Sequence, residues 1–329
     1  MDIQRDLQEA YRAWAKAGMR RTRNVKLPST LGRAWAGDKL LLRLNAKSVT
    51  SNMQSDAAAF EAWALILRLW LRKERARCIE LDWDAPTDPK NGHYQRFLYR
   101  VTQFQLLFPE WFFVADVKKL RDCRALTEQQ PVLNVAAGEA TAPPAGTTHA
   151  EYELESRLIV SPLFRQHFGL KLVDRQFPVG LFADQVTAKT RIFTGGKSAI
   201  DIVGVGEDDS FHIFELKAKD NIHAGIVSEL LLYTALIREA AGTPPRIKFK
   251  EDATLSSRAR VHASHVQRCT GIRAVMLVED LHPLLEHPDL LGTLNRAAEA
   301  HWNSEPGAKS VCFSKVLVSD FKKADEASA

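Results

Sequence analysis

The sequence predicts an α/β fold in two parts: a smaller N-terminal α/β domain over residues 1–124 and a larger α/β sandwich on a mixed central sheet over residues 150–321. Three observations carry this. Strand-like and helix-like patterns alternate over roughly the first 115 residues, the order of a small α/β domain. Two runs rich in Val, Ile and Phe, Ile200–Val205 and Phe211–Leu216, flank the polar Gly206–Asp209, which is the pattern of a buried β-hairpin. Between the two parts, residues 125–149 change character. Ala136–Thr148 holds no aromatic residue and is rich in Ala, Gly, Pro and Thr, as a flexible linker is. A chain of 329 residues, 45% hydrophobic and 26% charged, has the size and composition of a soluble protein with two ordinary domains.

Taken in order, residues 2–18 read as a helix, with Leu7, Tyr11 and Trp14 at helical spacing. A basic stretch follows: Arg20, Arg21, Arg23, Lys26 and Arg33. Residues 1–50 hold 11 Lys or Arg against 4 Asp or Glu, a local net charge of +7 in a chain whose total is +5. Such a stretch is either a phosphate-contacting arm or a solvated loop. Lys39–Leu44 reads as a strand. Residues 55–75 read as a helix with Phe60, Trp63, Ala64, Leu67, Trp70 and Leu71 on one stripe. Cys78–Trp83, His93–Leu107 and Trp111–Ala115 read as strand, helix and strand. Six of the seven tryptophans lie at or before Trp111. Tryptophans on a helical stripe are core, although such a cluster can also stack bases or dock a partner. Glu80, Asp82 and Asp84 alternate along one strand end and read as a solvated edge.

The second part opens with a helix from His149, in which Leu154 and Leu158 share a face and Pro162 ends the turn that follows. Leu170–Val173 or Val179–Phe182 supplies the first strand. Thr194–Ser198 contains Gly-Gly-Lys-Ser, but it lacks the upstream glycine of a phosphate loop and precedes a strand, so it reads as a loop. Beyond the hairpin, His223–Ala240 reads as a helix, Ile272–Val278 as a buried strand, Asp289–Trp302 as a helix and Ser310–Val318 as a last strand. Residues 322–329 read as a disordered tail. His262, His265 and Cys269 are ligand types without a nearby fourth, which does not make a zinc site.

The chemistry concentrates on the hairpin. A turn centred on Asp208 sets Val205 against Phe211, Val203 against Ile213 and Asp201 against Glu215. Side chains alternate along a strand, so Lys217 joins Asp201 and Glu215 on one face. Two carboxylates so close on apolar strands need a cation. Oxygen ligands suit Mg²⁺ or Mn²⁺, and a lysine beside them can polarise a water or hold a phosphate oxygen. These parts suit metal-assisted hydrolysis of a phosphodiester.

Asp201…Glu215-Leu216-Lys217 resembles the motif of the PD-(D/E)xK nuclease superfamily, with Ile200 in place of the usual proline before the Asp. The resemblance covers about residues 150–321 and implies a restriction-endonuclease-like fold. It implies a Mg²⁺- or Mn²⁺-dependent nuclease, acting on DNA, with Asp201 and Glu215 as metal ligands and Lys217 as the charge-stabilising catalytic residue. It further implies a helix Glu completing the site. Glu151 and Glu155, four residues apart, share the face that carries Leu154 and Leu158, and Glu151 ranks first. The superfamily places a Gln-x3-Tyr pair on the next helix, against the substrate strand. Here Glu229 stands four before Tyr233, so only Tyr233 keeps the pattern. The remaining candidate nucleic-acid contacts are Lys197, Lys219, Arg20, Arg21 and Arg23.

The N-terminal domain is expected to recognise a target, a protein partner or a second copy of the chain. Repair, restriction and antiphage defence all suit that plan. An RNA nuclease and a non-cleaving binding protein on the same fold are the alternatives. Four cysteines without CxxC pairing read as reduced thiols of a cytoplasmic protein. The polar N-terminus shows no signal-peptide pattern. The apolar stretch Trp63–Leu71, cut by Arg68, is too short to span a membrane.

Overall fold

The computed structural model describes residues 2–53, 55, 58–71, 76–123, 131–133, 149–194, 198–219, 222–250 and 259–321. The chain is mixed α/β. Helix α1 (Ile3–Ala17) starts at Asp2, whose carboxylate accepts the N–H groups of Gln4 and Arg5, and ends at Gly18. Its apolar stripe, Ile3, Leu7, Tyr11 and Ala15, is buried. Strands β1 (Leu31–Ala36) and β2 (Lys39–Leu44) then form a hairpin across Gly37 and Asp38. In the sequence Arg33 counts with the basic arm, and β1 carries no strand pattern of its own. The two-residue Gly-Asp turn, with Gly37 at φ +65°, is what folds it onto β2, and Arg33 lies in a strand instead of an arm.

After the short α2 (Ala46–Val49) comes α3 (Phe60–Trp70), followed by β3 (Cys78–Trp83), α4 (Gly92–Leu107) and β4 (Phe112–Val114). The first sheet runs β1-β2-β3-β4, parallel from β2 onward. Glu80 and Asp82 lie not at an edge but on β3, paired on both sides by β2 and β4, where they are half-buried; with exposed Asp84 they face Lys39, Arg43 and Lys119.

Of the stretch read as linker, the described residues are 131–133 and 149, and Val132–Leu133 forms the buried strand β5. Ala136–Thr148 and the tail 322–329 lie outside the described residues. Helix α5 (His149–Val160) is followed by a second helix, α6 (Pro162–Phe168). Pro162 therefore begins a helix. Proline is preorganised for the first helical position, Ser161 caps it, and Gly169 in the left-handed region closes it.

Strand β6 (Leu170–Pro178) is longer than either stretch proposed for it, and β7 (Leu181–Phe182) is a separate short strand. Next come β8 (Ala199–Gly206), β9 (Phe211–Lys217), α7 (Gly225–Ala241), β10 (Lys248–Phe249), α8 (Ala263–Arg268) and β11 (Gly271–Val278). Helix α9 (Leu290–Ala297) passes into a π turn, Ala298–Trp302, before β12 (Ser310–Leu317). The second sheet is mixed, in the order β12-β11-β9-β8-β6. Strands β6, β8 and β9 are antiparallel neighbours, and β11 and β12 lie parallel to β9. Strands β10, β5 and β7 make a third, small sheet.

One buried cluster runs from Ile3 to Phe313 and takes side chains from both large sheets, while a second lies beneath α5 and α6. Helix α7 is at the centre. It is apolar around most of its circumference, as a helix enclosed on all sides must be, and it packs on β9, β11, α3 and α4. Its few polar groups are paired. Glu61 of α3 receives the Arg100 guanidinium and, at 2.7 Å, the Ser228 hydroxyl of α7. Tyr99 donates to Glu239 at 2.9 Å. No disulfide joins the four cysteines, and no helix among the described residues is long and apolar enough to cross a membrane.

Candidate active site

The hairpin has the register its sequence predicts. Val205 pairs with Phe211 and Val203 with Ile213. Asp209, at φ +61°, turns the chain between them. Continuing the register sets Asp201 opposite Glu215, but there the regular pairing has ended at Ile202 and Phe214. The Asp201 carboxylate accepts the Leu216 N–H at 2.8 Å, so the side chain of one strand is anchored on the backbone of the other.

Around that anchor the fold gathers five carboxylates and one ammonium. Glu215 and Lys217 project from β9, both nearly inaccessible at 1% and 4% exposure. The Lys217 Nζ lies 2.8 Å from Glu215 Oε1 and 3.0 Å from Glu229 Oε2 of α7. Helix α5 packs over β8 and β9 and buries Glu151 and Glu155 against the same group. Gln176 of β6, held at φ +54°, donates to Glu155 Oε1 at 2.8 Å. Arg175 donates to Ser156 at 2.7 Å and lies over the Tyr152 ring. Asp201 is half-buried, and the other four carboxylates are buried.

Carboxylates outnumber the ammonium here, and the titration of the group expresses that excess. Burial, then the charge of Asp201, raises Glu155 to about 8. Burial raises Asp201 to about 6 against the opposing pull of Lys217. Burial and then the charges of Asp201 and Glu229 hold Glu215 well above the ordinary carboxyl range. For Lys217 burial acts downward, but Glu215, Glu229, Asp201 and Glu151 together push it well above its ordinary value.

No protein-family model, no curated protein and no solved structure matches this chain. The chemistry of the site rests on its own residues. Among the described residues, no group of three or more His, Cys, Asp or Glu side chains is arranged to hold a metal ion as the site stands. Lys217 takes the position between Glu215 and Glu229, and Leu216 holds Asp201. The donor chemistry nevertheless fits a hard divalent cation. The atoms are carboxylate oxygens, the group is rich in negative charge, and Glu155 Oε2 and Glu215 Oε2 are buried without a hydrogen-bond partner among the described residues. Ligation at Glu215 requires that carboxylate to turn from Lys217.

The structure thus brings together Asp201, Glu215, Lys217, Glu151 and Glu155, and adds Glu229. The last was visible four residues before Tyr233, on the same helix face, but its part as the second partner of Lys217 depends on how α7 crosses β9. Tyr233 lies inside the core at 5% exposure, where burial, then Glu215 and Glu229, raise its phenol well above the ordinary value. It faces the acid cluster and offers no surface to a nucleic-acid strand. Lys219 is exposed and its backbone N–H donates to Glu279. Arg20 and Arg21 are exposed, Arg20 stacking 4.0 Å over Trp14, and Arg23 pairs with Asp280 at 3.3 Å. None of these three is gathered at the acid cluster. Lys197 lies outside the described residues.

Proposed function

We propose that this protein is a metal-dependent nuclease that hydrolyses DNA phosphodiester bonds at the cluster of Asp201, Glu215 and Lys217. The observation that carries the reading is the antiparallel hairpin that sets Asp201 beside Glu215 and Lys217 under a helix bearing Glu151 and Glu155. The order β6-β8-β9-β11, three antiparallel strands followed by a parallel one, supports a restriction-endonuclease-like sheet.

Asp201, Glu215 and Glu151 would hold Mg²⁺ or Mn²⁺, which when bound supplies Lewis-acid polarisation of the phosphate and an activated water. Lys217, once Glu215 turns away, retains Glu229 as an anchor and presents its ammonium to a phosphate oxygen, where negative charge builds during attack. Glu155, titrating near 8, holds a proton at neutral pH and limits the repulsion on Asp201. The N-terminal half, through α4, closes the other side of α7 and serves as the surface that selects a target or partner. DNA repair, restriction or antiphage defence, in the cytoplasm, is the setting such an enzyme suits.

A non-cleaving nucleic-acid-binding protein is the second reading. The observation favouring it is the Lys217 ammonium lodged between Glu215 and Glu229. The test is incubation with supercoiled plasmid, linear duplex, single-stranded DNA and RNA, each with Mg²⁺, Mn²⁺ or EDTA. Chelator-sensitive cutting of DNA supports the proposal. Cutting of RNA alone would move it to an RNA nuclease. Salt-sensitive retention of DNA without cutting would establish the second reading.

A further inference from the structure

We propose that Arg175 of β6 holds a backbone phosphate of the DNA strand, next to the phosphate that is cut; the place of the cut rests on the nuclease reading above. Arg175 is half-buried, and its guanidinium spans two hydroxyls of α5. Nη1 donates to Ser156 Oγ at 2.7 Å and Nη2 to Tyr152 Oη at 3.1 Å. The group also lies over the Tyr152 ring, 4.7 Å from its centroid. All of these partners are neutral. A guanidinium has five N–H donors, so three stay open beside these two bonds. Among the described residues no carboxylate pairs with them. The adjoining Asp174 faces backbone instead: Oδ1 accepts the Arg175 N–H at 3.0 Å, and Oδ2 accepts those of Arg260 and Val261 at 2.7 and 3.4 Å.

The bend in β6 ties this charge to the acid cluster. Successive strand side chains point to opposite faces. Arg175 and Gln176 nevertheless both reach α5, where Gln176 donates to Glu155 Oε1 at 2.8 Å, one residue from the Ser156 that holds Arg175. Gln176 stands at φ +54°, a left-handed conformation that is rare for a non-glycine residue and concentrates at functional sites. The pairs Arg175–Ile202 and Phe177–Ile200 flank it, so the register sets Gln176 opposite Asp201. A nucleic-acid strand that enters this site meets five carboxylates. Lys217, the ammonium among them, is lodged between Glu215 and Glu229. A guanidinium with open donors supplies attraction at the border of the cluster, and its planar fork matches two oxygens of a phosphate. Neutral partners order it in advance, which lowers the entropic cost of binding. Such a contact fixes the register of a strand and reads no sequence.

The test separates binding from cutting. The full-length protein is titrated with fluorescein-labelled duplex and single-stranded DNA in EDTA, over a series of salt concentrations. Arg175→Gln should weaken binding by at least about tenfold, the loss of one charge-assisted contact. It should also reduce the slope of log K against log salt by about 0.9 for duplex or about 0.7 for a single strand, the share of one phosphate. Arg175→Lys keeps the charge and should keep the parent's slope, at an affinity below the parent's. Tyr152→Phe removes a hydroxyl anchor and no charge, and should leave the slope unaltered. If Arg175 serves only to tie β6 to α5, Arg175→Gln lowers the unfolding temperature and leaves the slope where it was, which overturns the proposal. So does a slope that falls equally in Arg175→Lys, or a parent that shows no salt-dependent binding of either DNA. The two readings fail separately. A slope reduced by Arg175→Gln in a protein that cuts no DNA keeps the phosphate contact and removes the nuclease, whereas cutting with an unaltered slope does the reverse.

Discussion

Replacing Glu155 by Gln should stabilise the protein, and by an amount that grows with pH. In the folded chain Glu155 titrates near 8, against an ordinary value of 4.5, because it is buried beside Asp201. The folded state therefore keeps a proton that the unfolded state releases. The stability this proton contributes is complete below pH 4.5 and is lost as pH rises toward 8. Each pH unit in that window withdraws about 1.4 kcal/mol, a total of about 4 kcal/mol by pH 8. A glutamine is neutral throughout and can still accept from Gln176. Urea unfolding of both proteins in EDTA at pH 5, 6, 7 and 8 reads the effect directly. The stability of Glu155→Gln relative to the parent should rise by about 3 kcal/mol from pH 5 to pH 8. A difference that stays constant across that range, or that narrows, would refute the placement of Glu155 in a crowded acid cluster.

Three further outcomes follow from the same geometry. Lys217→Met removes the ammonium shared by Glu215 and Glu229, and should cost about 3–5 kcal/mol at pH 8 but markedly less at pH 5, where the carboxylates accept protons. Urea unfolding at the two pH values measures this. Mg²⁺ should raise the unfolding temperature at pH 8 more than at pH 5, since protons compete for the raised carboxylates, and Glu215→Ala should abolish the increment in a calorimetric scan. Glu61→Ala leaves Arg100 buried without its carboxylate and should destabilise the chain by about 3 kcal/mol in urea unfolding.

Much of the fold is legible in the sequence because local rules and tertiary packing agree. The hairpin register follows from period-two alternation and the length of one turn. The long helices announce themselves by stripe, as α1 does through Leu7 and Tyr11. What escapes has identifiable causes. Strand β1 alternates only weakly and carries Arg33, so its sole signal is the Gly-Asp turn to β2. Pro162 looks like a stop but begins α6, since the same fixed φ suits both a break and a first helical turn. The widening of the α9 helix into a π turn leaves no mark in composition. Within the site, Asp201, Glu215 and Lys217 are linked by strand arithmetic alone. Glu229 and Gln176 join them only through the crossing of α7 and the bend in β6, which are properties of packing.

Glu215, beside Asp201 and Lys217, is proposed to support metal-dependent cutting of DNA. The most direct measurement is the initial rate of plasmid cleavage in Mg²⁺ for the parent chain and for Glu215→Gln, which keeps the size of the side chain and removes its charge. Unfolding of both proteins is followed to establish that each is folded. Under the proposal the parent should cut, and the variant should lose at least about a hundredfold in rate, the scale on which one essential charged group contributes. Equal rates in the two folded proteins would contradict it.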